Sequence, residues 1–222
     1  MGALELLWEY RAPFALGLAT TVWLLVIAMI AGTFSGAALA IVSRADPTRL
    51  ARSALDALAF AGAAVPALII LFWVHYPGQA LLGIRASGFA TAAITLSLLN
   101  ALAVYRMLMD AADEFPRQFL LAAKVAGLGP RTTLYRIYAP MIARSVVPRW
   151  IDQQVFILHC TLLASFISVE ETFRTAQRIN STIYQPVLIY TSVAILFLIV
   201  AGAALHISGR LRARLSRDWS ER

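Results

Sequence analysis

Long stretches without formal charge alternate along the chain with short charged segments. Ala12 to Ser43 carries no charged side chain, and neither do Ala57 to Ile84, Ala86 to Tyr105, Gln153 to Val169 and Ile179 to Gly209. A helix needs roughly 20 apolar residues to cross a bilayer. The pattern therefore predicts an all-α polytopic membrane protein of one domain, residues 1–222. Its five transmembrane helices fall near 13–43, 53–76, 86–109, 149–168 and 183–209, joined by loops.

Composition removes the soluble alternative. Of 222 residues, 60% are hydrophobic and 14% charged, and mean hydropathy is +0.73. Soluble domains carry about 25% charged residues, and a globule of this length cannot hide so much apolar surface. The single Cys excludes a disulfide scaffold, and the hydrophobicity excludes disorder.

The net charge of +7 marks cytoplasmic loops rather than a nucleic-acid partner, because no aromatic–basic interleaving accompanies it. Residues 1–12 carry Glu5, Glu9 and Arg11, net −1, and the first loop (Arg44, Asp46, Arg49, Arg52) is +2. The second loop has only Arg85. The third, 106–149, has seven basic against three acidic residues, and the fourth (Glu170, Glu171, Arg174, Arg178) is neutral. The tail is basic again, with Arg210, Arg212, Arg214, Arg217 and Arg222 against Asp218 and Glu221. This alternation predicts an outside N-terminus and a cytoplasmic C-terminus. The acidic start is unlike the basic n-region of a signal peptide. Leu6 stands where N-myristoylation of Gly2 requires Ser or Thr.

Catalytic and cofactor signatures are missing from the sequence. It has no G-x-x-x-x-G-K-[ST], G-x-S-x-G or H-E-x-x-H. His75, His159, His206 and Cys160 lack metal-ligand spacing. No cofactor and no covalent catalysis are expected. Cys160 reads as an inert small apolar residue. Gly32-x-x-x-Gly36 in the first span is either a helix-contact face or a chance match in a Gly/Ala-rich segment.

The third loop is patterned. Asp113 and Glu114 precede Phe115-Pro116, a good helix start. Phe119, Ala122, Ala123 and Ala126 then share one face of a helix over 116–126. Gly127-Leu128-Gly129 stops it, and Pro130 opens a second helix in which Leu134, Ile137, Tyr138 and Met141 repeat the spacing, until Pro140 breaks or kinks it. Such a small apolar surface, flanked by Arg117, Lys124, Arg131 and Arg136, suits docking into a groove on another protein or lying on anionic lipid.

Leu121-Ala122-Ala123, then three residues, Gly127, nine residues and Ile137-Tyr138-Ala139-Pro140 resembles the coupling loop of ABC-importer permeases. That motif reads Glu-Ala-Ala, three residues, Gly, nine residues, Ile-x-Leu-Pro. Leu121 replaces its Glu and Ala139 its Leu. Thr20-Thr21 and the following apolar run are similar to the first span of polar amino-acid permeases. Ala63-Ala64-Val65-Pro66 stands where those proteins have Arg-Gly-Thr-Pro. Leu158-His159-Cys160-Thr161-Leu162-Leu163-Ala164 resembles their fourth-span motif, with His at the usual Lys as in the histidine and lysine/arginine/ornithine subgroup. The run from Ala176 to Pro186 looks like that subgroup too.

The resemblance implies a type I ABC-importer permease subunit for basic amino acids or opines in a bacterial inner membrane. It implies a homologous permease chain, two cytoplasmic ATPases and an extracytoplasmic binding protein as partners, with a coupling loop over 113–141. Phe119, Ala122, Ala123, Ala126, Gly127, Ile137 and Pro140 then face the ATPase. His159, Thr161, Asp152 and Pro66 line the substrate pathway. Asp152 either faces that cavity or pairs with Arg149. Glu170 and Glu171 serve the outer gate, dock the binding protein, or belong to a solvated loop. Divergence at Leu121 and before Pro66 leaves two alternatives, a permease for another small polar solute and a degenerate permease acting as a membrane scaffold.

Overall fold

The computed structural model describes residues 8–46 and 48–220. The expectations resting on Gly2, Glu5, Leu6, Glu221 and Arg222 lie outside them. The elements are α1 (Arg11–Ala45), α2 (Leu50–Ala64), α3 (Ala67–Leu82), α4 (Gly88–Asp113), α5 (Arg117–Val125), α6 (Pro130–Ile167), α7 (Thr172–Ile183) and α8 (Pro186–Ser220). Four of these, α1, α4, α6 and α8, are long and apolar enough to cross a membrane, and α2 with α3 forms a bent fifth candidate.

The centre of the bundle is α4. Ser87 caps it by accepting a bond from the Ala90 N–H at 3.2 Å. One face of α4 meets α1 so closely that a Cβ at Gly36 would lie 2.5 Å from the Ala101 carbonyl oxygen. At Gly32 it would lie 2.6 Å from Asn100 Cβ. The Gly32/Gly36 pair is thus a contact face, where missing side chains let two backbones approach. The outer faces of α1 and α8 expose Trp23, Phe34, Ile41, Leu198 and Ile199, which suit lipid.

The expected single helix over 53–76 is instead two helices meeting at 108°. Pro66 causes the break. It forces Val65 into extended backbone (φ −88°, ψ 129°) and has no N–H to continue the helix.

Pro140 does not break the helix; a local distortion beside it takes up the ring. Neither Pro140 nor Pro148 ends α6, which runs without interruption from Pro130 through 38 residues. A π turn at Leu134–Tyr138 precedes Pro140, and the Ala139 N–H reaches back five residues to the Leu134 carbonyl. The widened turn accommodates the ring that an α-helix would reject. The second loop helix and the fourth span are therefore one continuous helical segment. A second π turn, Val74–Gly78, takes up Pro77 in α3. Residues 172–183, expected as loop, form α7.

Candidate functional site

At one end of the bundle α5 is clamped to the roots of α4 and α6. Phe115 is buried with Ala111, Ile142 and Val146. Its ring centroid lies 4.8 Å from Tyr138 and 6.3 Å from Phe119. Ala123, one helical turn beyond Phe119, is 3% exposed. The face expected to be a single contact surface is therefore divided. Phe119 and Ala123 point inward, Ile137 and Pro140 are half-buried, and Ala122 and Ala126 are exposed. The outermost apolar side chains are Leu121, Val125 (89% exposed) and Tyr135. The aromatic anchor fixes this rotation, because Phe115 and Phe119 must bury their rings. Arg117, Lys124, Arg131 and Arg136 flank the outward face, and none makes an ion pair among the described residues.

Gly127 ends α5 at φ +70°. Its N–H bonds to the Lys124 carbonyl at 3.1 Å, and the Leu128 N–H bonds to the Ala123 carbonyl at 3.0 Å. These are the two bonds of a Schellman end. A Cβ at Gly127 would meet nothing within 4 Å, so backbone conformation rather than space requires glycine.

Ion pairs spread from this end along the helices. Asp113 bonds Arg44 at 3.1 Å and also Arg52. Asp56 pairs with Arg52 at 3.7 Å and with Arg106 at 3.4 Å, and accepts the Tyr105 hydroxyl at 3.0 Å. Arg106 also pairs with Asp110 at 3.7 Å, and Arg149 with Glu114 at 3.5 Å. All are partly exposed, so each contributes about 0–1 kcal/mol; their continuity matters more than their strength.

Two of these cations, Arg106 and Arg149, lie in a groove of about 880 Å³ between α2, the start of α3, α4 and α6. Asp110, Gln153, Phe156 and Pro66 line it with them. Of the four expected pathway residues, only Pro66 is there. His159 is exposed on another face, its ring centroid 6.5 Å from that of Phe197 on α8. Asp152 pairs with Arg212 at 2.6 Å, not with Arg149. Thr161 is fully buried and donates to the Leu158 carbonyl at 2.7 Å. Helical phase explains the separation. Arg149, Gln153, Phe156, Cys160 and Leu163 form the groove stripe of α6, while Asp152 and His159 are rotated toward α8. The stripe spacing was present in the sequence, and so were the charges of Arg106, Asp110 and Arg149 beside apolar runs.

Deeper in the bundle, Asn100 Nδ2 donates to the Ala28 carbonyl at 3.0 Å and to Gln154 Oε1 at 3.2 Å. Gln154 Nε2 donates back to Asn100 Oδ1 at 3.2 Å, and Trp150 Nε1 donates to Thr33 Oγ1 at 2.9 Å. These bonds tie α1, α4 and α6 together where apolar contacts alone leave helix register free.

At the opposite end Glu171 is fully buried. It caps α7, accepting the N–H groups of Phe173 at 2.8 Å and Arg174 at 2.7 Å. Burial pushes its carboxyl up to about 7, against the lowering effect of those two bonds. Thr21 and Thr172 bond through their hydroxyls at 2.8 Å. A Cβ at Gly17 would lie 2.6 Å from Thr175 Oγ1. Glu171 is thus a structural cap and not a solvated loop residue; Glu170 is exposed and pairs with Arg178 at 3.8 Å.

A helical bundle with a laterally anchored loop helix and a polar-mouthed groove is the architecture of a transport permease. Residues 32–214 match the family described as binding-protein-dependent transport system inner membrane component, and the chain belongs to that family. It is 25% identical over 220 residues to the histidine/lysine/arginine/ornithine transport system permease protein HisM of Salmonella typhimurium strain LT2, covering 95% of this chain and 92% of that one. It is 27% identical over 170 residues to the nopaline transport system permease protein NocQ of Agrobacterium fabrum, covering 71% and 70%. Its fold matches a chain of the crystal structure of an amino acid ABC transporter with histidines at TM-score 0.84 and 18% identity, covering 96% and 99%.

Proposed function

We propose that this chain is the permease subunit of an ATP-driven importer of basic amino acids, or of opines derived from them. The observation that carries the reading is the near full-length similarity to HisM, with NocQ beside it. The subunit sits in the inner membrane with its N-terminus outside and its C-terminus in the cytoplasm. Its five crossings are α1, the bent α2–α3 pair, α4, α6 and α8. It pairs with a homologous permease chain, two cytoplasmic ATPases and an extracytoplasmic binding protein, and catalyses no covalent step itself.

The α5 end is the coupling end. Leu121, Ala122, Val125 and Ala126 meet the ATPase, Gly127 closes the helix, and Phe119, Ala123, Ile137 and Pro140 hold it to the bundle. Because α6 is continuous from Pro130 to Ile167, a push on the loop is transmitted along the wall of the groove. Movement of α5 also pulls Asp113 and Glu114, and through them the cations Arg44, Arg52 and Arg149. The ion pairs at the groove mouth then exchange between two arrangements as ATP binds and is released. Substrate passes along the groove past Pro66, Phe156, Gln153 and Asp110.

The test is uptake by proteoliposomes holding the complex encoded with this chain, with ATP inside and loaded binding protein outside. Arginine, ornithine or an arginine-derived opine should accumulate and glutamate should not. ATP-dependent uptake of an acidic or sugar solute alone would refute the substrate class. Absence of all uptake from an assembled complex would favour a scaffold.

A further inference from the structure

The charges along the groove do not balance. Its lining holds two cations, Arg106 and Arg149, against one carboxylate, Asp110. Arg106 is compensated twice, by Asp110 at 3.7 Å inside the groove and by Asp56 at 3.4 Å outside the lining. Arg149 has one ion-pair partner among the described residues, Glu114 at 3.5 Å. Glu114 does not line the groove, and its side chain is 67% exposed. A pair between a long side chain and a solvated carboxylate is weak and easily exchanged. Within the groove, therefore, Arg149 is a cation without a counter-charge. Gln153 stands one helical turn further along the same stripe of α6, and Phe156 follows it. On the other side, Glu114 directly precedes Phe115, whose ring is buried with Ala111, Ile142 and Val146 at the root of the coupling helix.

We propose that Arg149 receives the α-carboxylate of the transported amino acid, and that the solute displaces Glu114 from it. The proposal rests on the amino-acid reading above and adds the solute group that is recognised and the contact that gives way. Chemistry argues for the carboxylate. A guanidinium donates two parallel N–H groups to a carboxylate, a match in geometry as well as charge. A groove lining with an excess of positive charge repels the cationic side chain of arginine or lysine. The excess therefore selects what amino acids and opines share, the α-carboxylate, and leaves the side chain to other surfaces. Position adds a consequence. The same guanidinium serves the groove and the joint between α4 and α5, and it cannot hold two carboxylates as well as one. Solute in the groove thus frees Glu114, and a tie at the root of the coupling helix loosens only when cargo is present.

The test is direct binding of arginine and of argininamide to the purified full complex, without nucleotide or binding protein. Argininamide keeps the guanidinium and the α-ammonium but lacks the carboxylate. The parent should bind arginine about 5- to 20-fold more tightly than the amide, between the strength of an exposed ion pair and that of a bond to a buried charge. Arg149→Gln should abolish this preference by weakening arginine alone, and Arg149→Lys should keep part of it, since the charge remains and the fork is lost. Glu114→Gln should act in the opposite direction and tighten arginine about 2- to 5-fold, because it removes a competing carboxylate. A merely structural role for the pair would make both variants weaken both ligands alike, and that result overturns the proposal. So does equal binding of the two ligands, or binding of neither, by a parent complex that imports arginine. If the parent imports no basic amino acid, the underlying reading has failed instead, and the two results are separate.

Discussion

Replacing Gly127 separates backbone conformation from contact. The residue sits at φ +70°, and a methyl group added there would meet nothing within 4 Å, so Gly127→Ala introduces no clash. It forces an L-residue into the left-handed region, which costs about 1–2 kcal/mol. At about 1.4 kcal/mol per factor of ten, that shifts the frayed form of the α5 end upward by about 5- to 30-fold. Asn tolerates this region better although it is larger, so Gly127→Asn should be milder than Gly127→Ala. Hydrogen exchange at the amides of position 127 and Leu128, which close the helix onto Lys124 and Ala123, reads the fraying directly. Uptake per transporter reads its effect on coupling. If damage follows side-chain size, with Asn worse than Ala, then contact at this residue and not its φ sets the requirement, and the conformational argument is wrong.

Other consequences follow from the buried polar groups. Asn100→Leu strands Gln154 Oε1, which Asn100 Nδ2 now satisfies at 3.2 Å. It should cost about 1–3 kcal/mol, seen as a lower melting temperature of the purified complex, and adding Gln154→Met should recover much of the loss; a double variant as unstable as the sum of both singles would contradict the reciprocal pair. Glu171, pushed up to about 7 from an ordinary 4.5, favours the folded state in its neutral form. Its contribution is complete below about 4.5 and is lost as pH rises through about 7. Melting temperature should therefore fall between about pH 5 and about pH 8, the range of that titration, more in the parent than in Glu171→Gln, and parallel profiles would show that the cap does not titrate there.

The sequence exposed some features of this molecule and hid others for identifiable reasons. Charge-free runs located the apolar stretches of α1, α4 and α8, because formal charge is costly at membrane depth and collects toward the helix ends. The αL stop at Gly127 was legible because it is local chemistry. Pro140 misled in part, since the π turn at Leu134–Tyr138 absorbs it without ending the helix, and no local sequence signal announces that turn. Rotational phase was the largest loss. His159 and Gln153 lie six residues apart on one apolar helix, and only packing against α8 on one side and α4 on the other tells which faces the groove. Glu171 read as a loop acid because nothing local announces that Thr21 and Gly17, about 150 residues earlier, close over it.

The central claim is that solute moves along the α2–α4–α6 groove and not past His159. The most direct measurement places a single cysteine on each face, Gln153→Cys and His159→Cys, in a Cys160→Ser background. Each full complex is treated with a small cationic thiol reagent during turnover. Modification of Gln153→Cys should block arginine uptake, and excess arginine should slow that block, while His159→Cys should continue to transport after labelling. Protection by arginine at His159→Cys with none at Gln153→Cys would contradict the account.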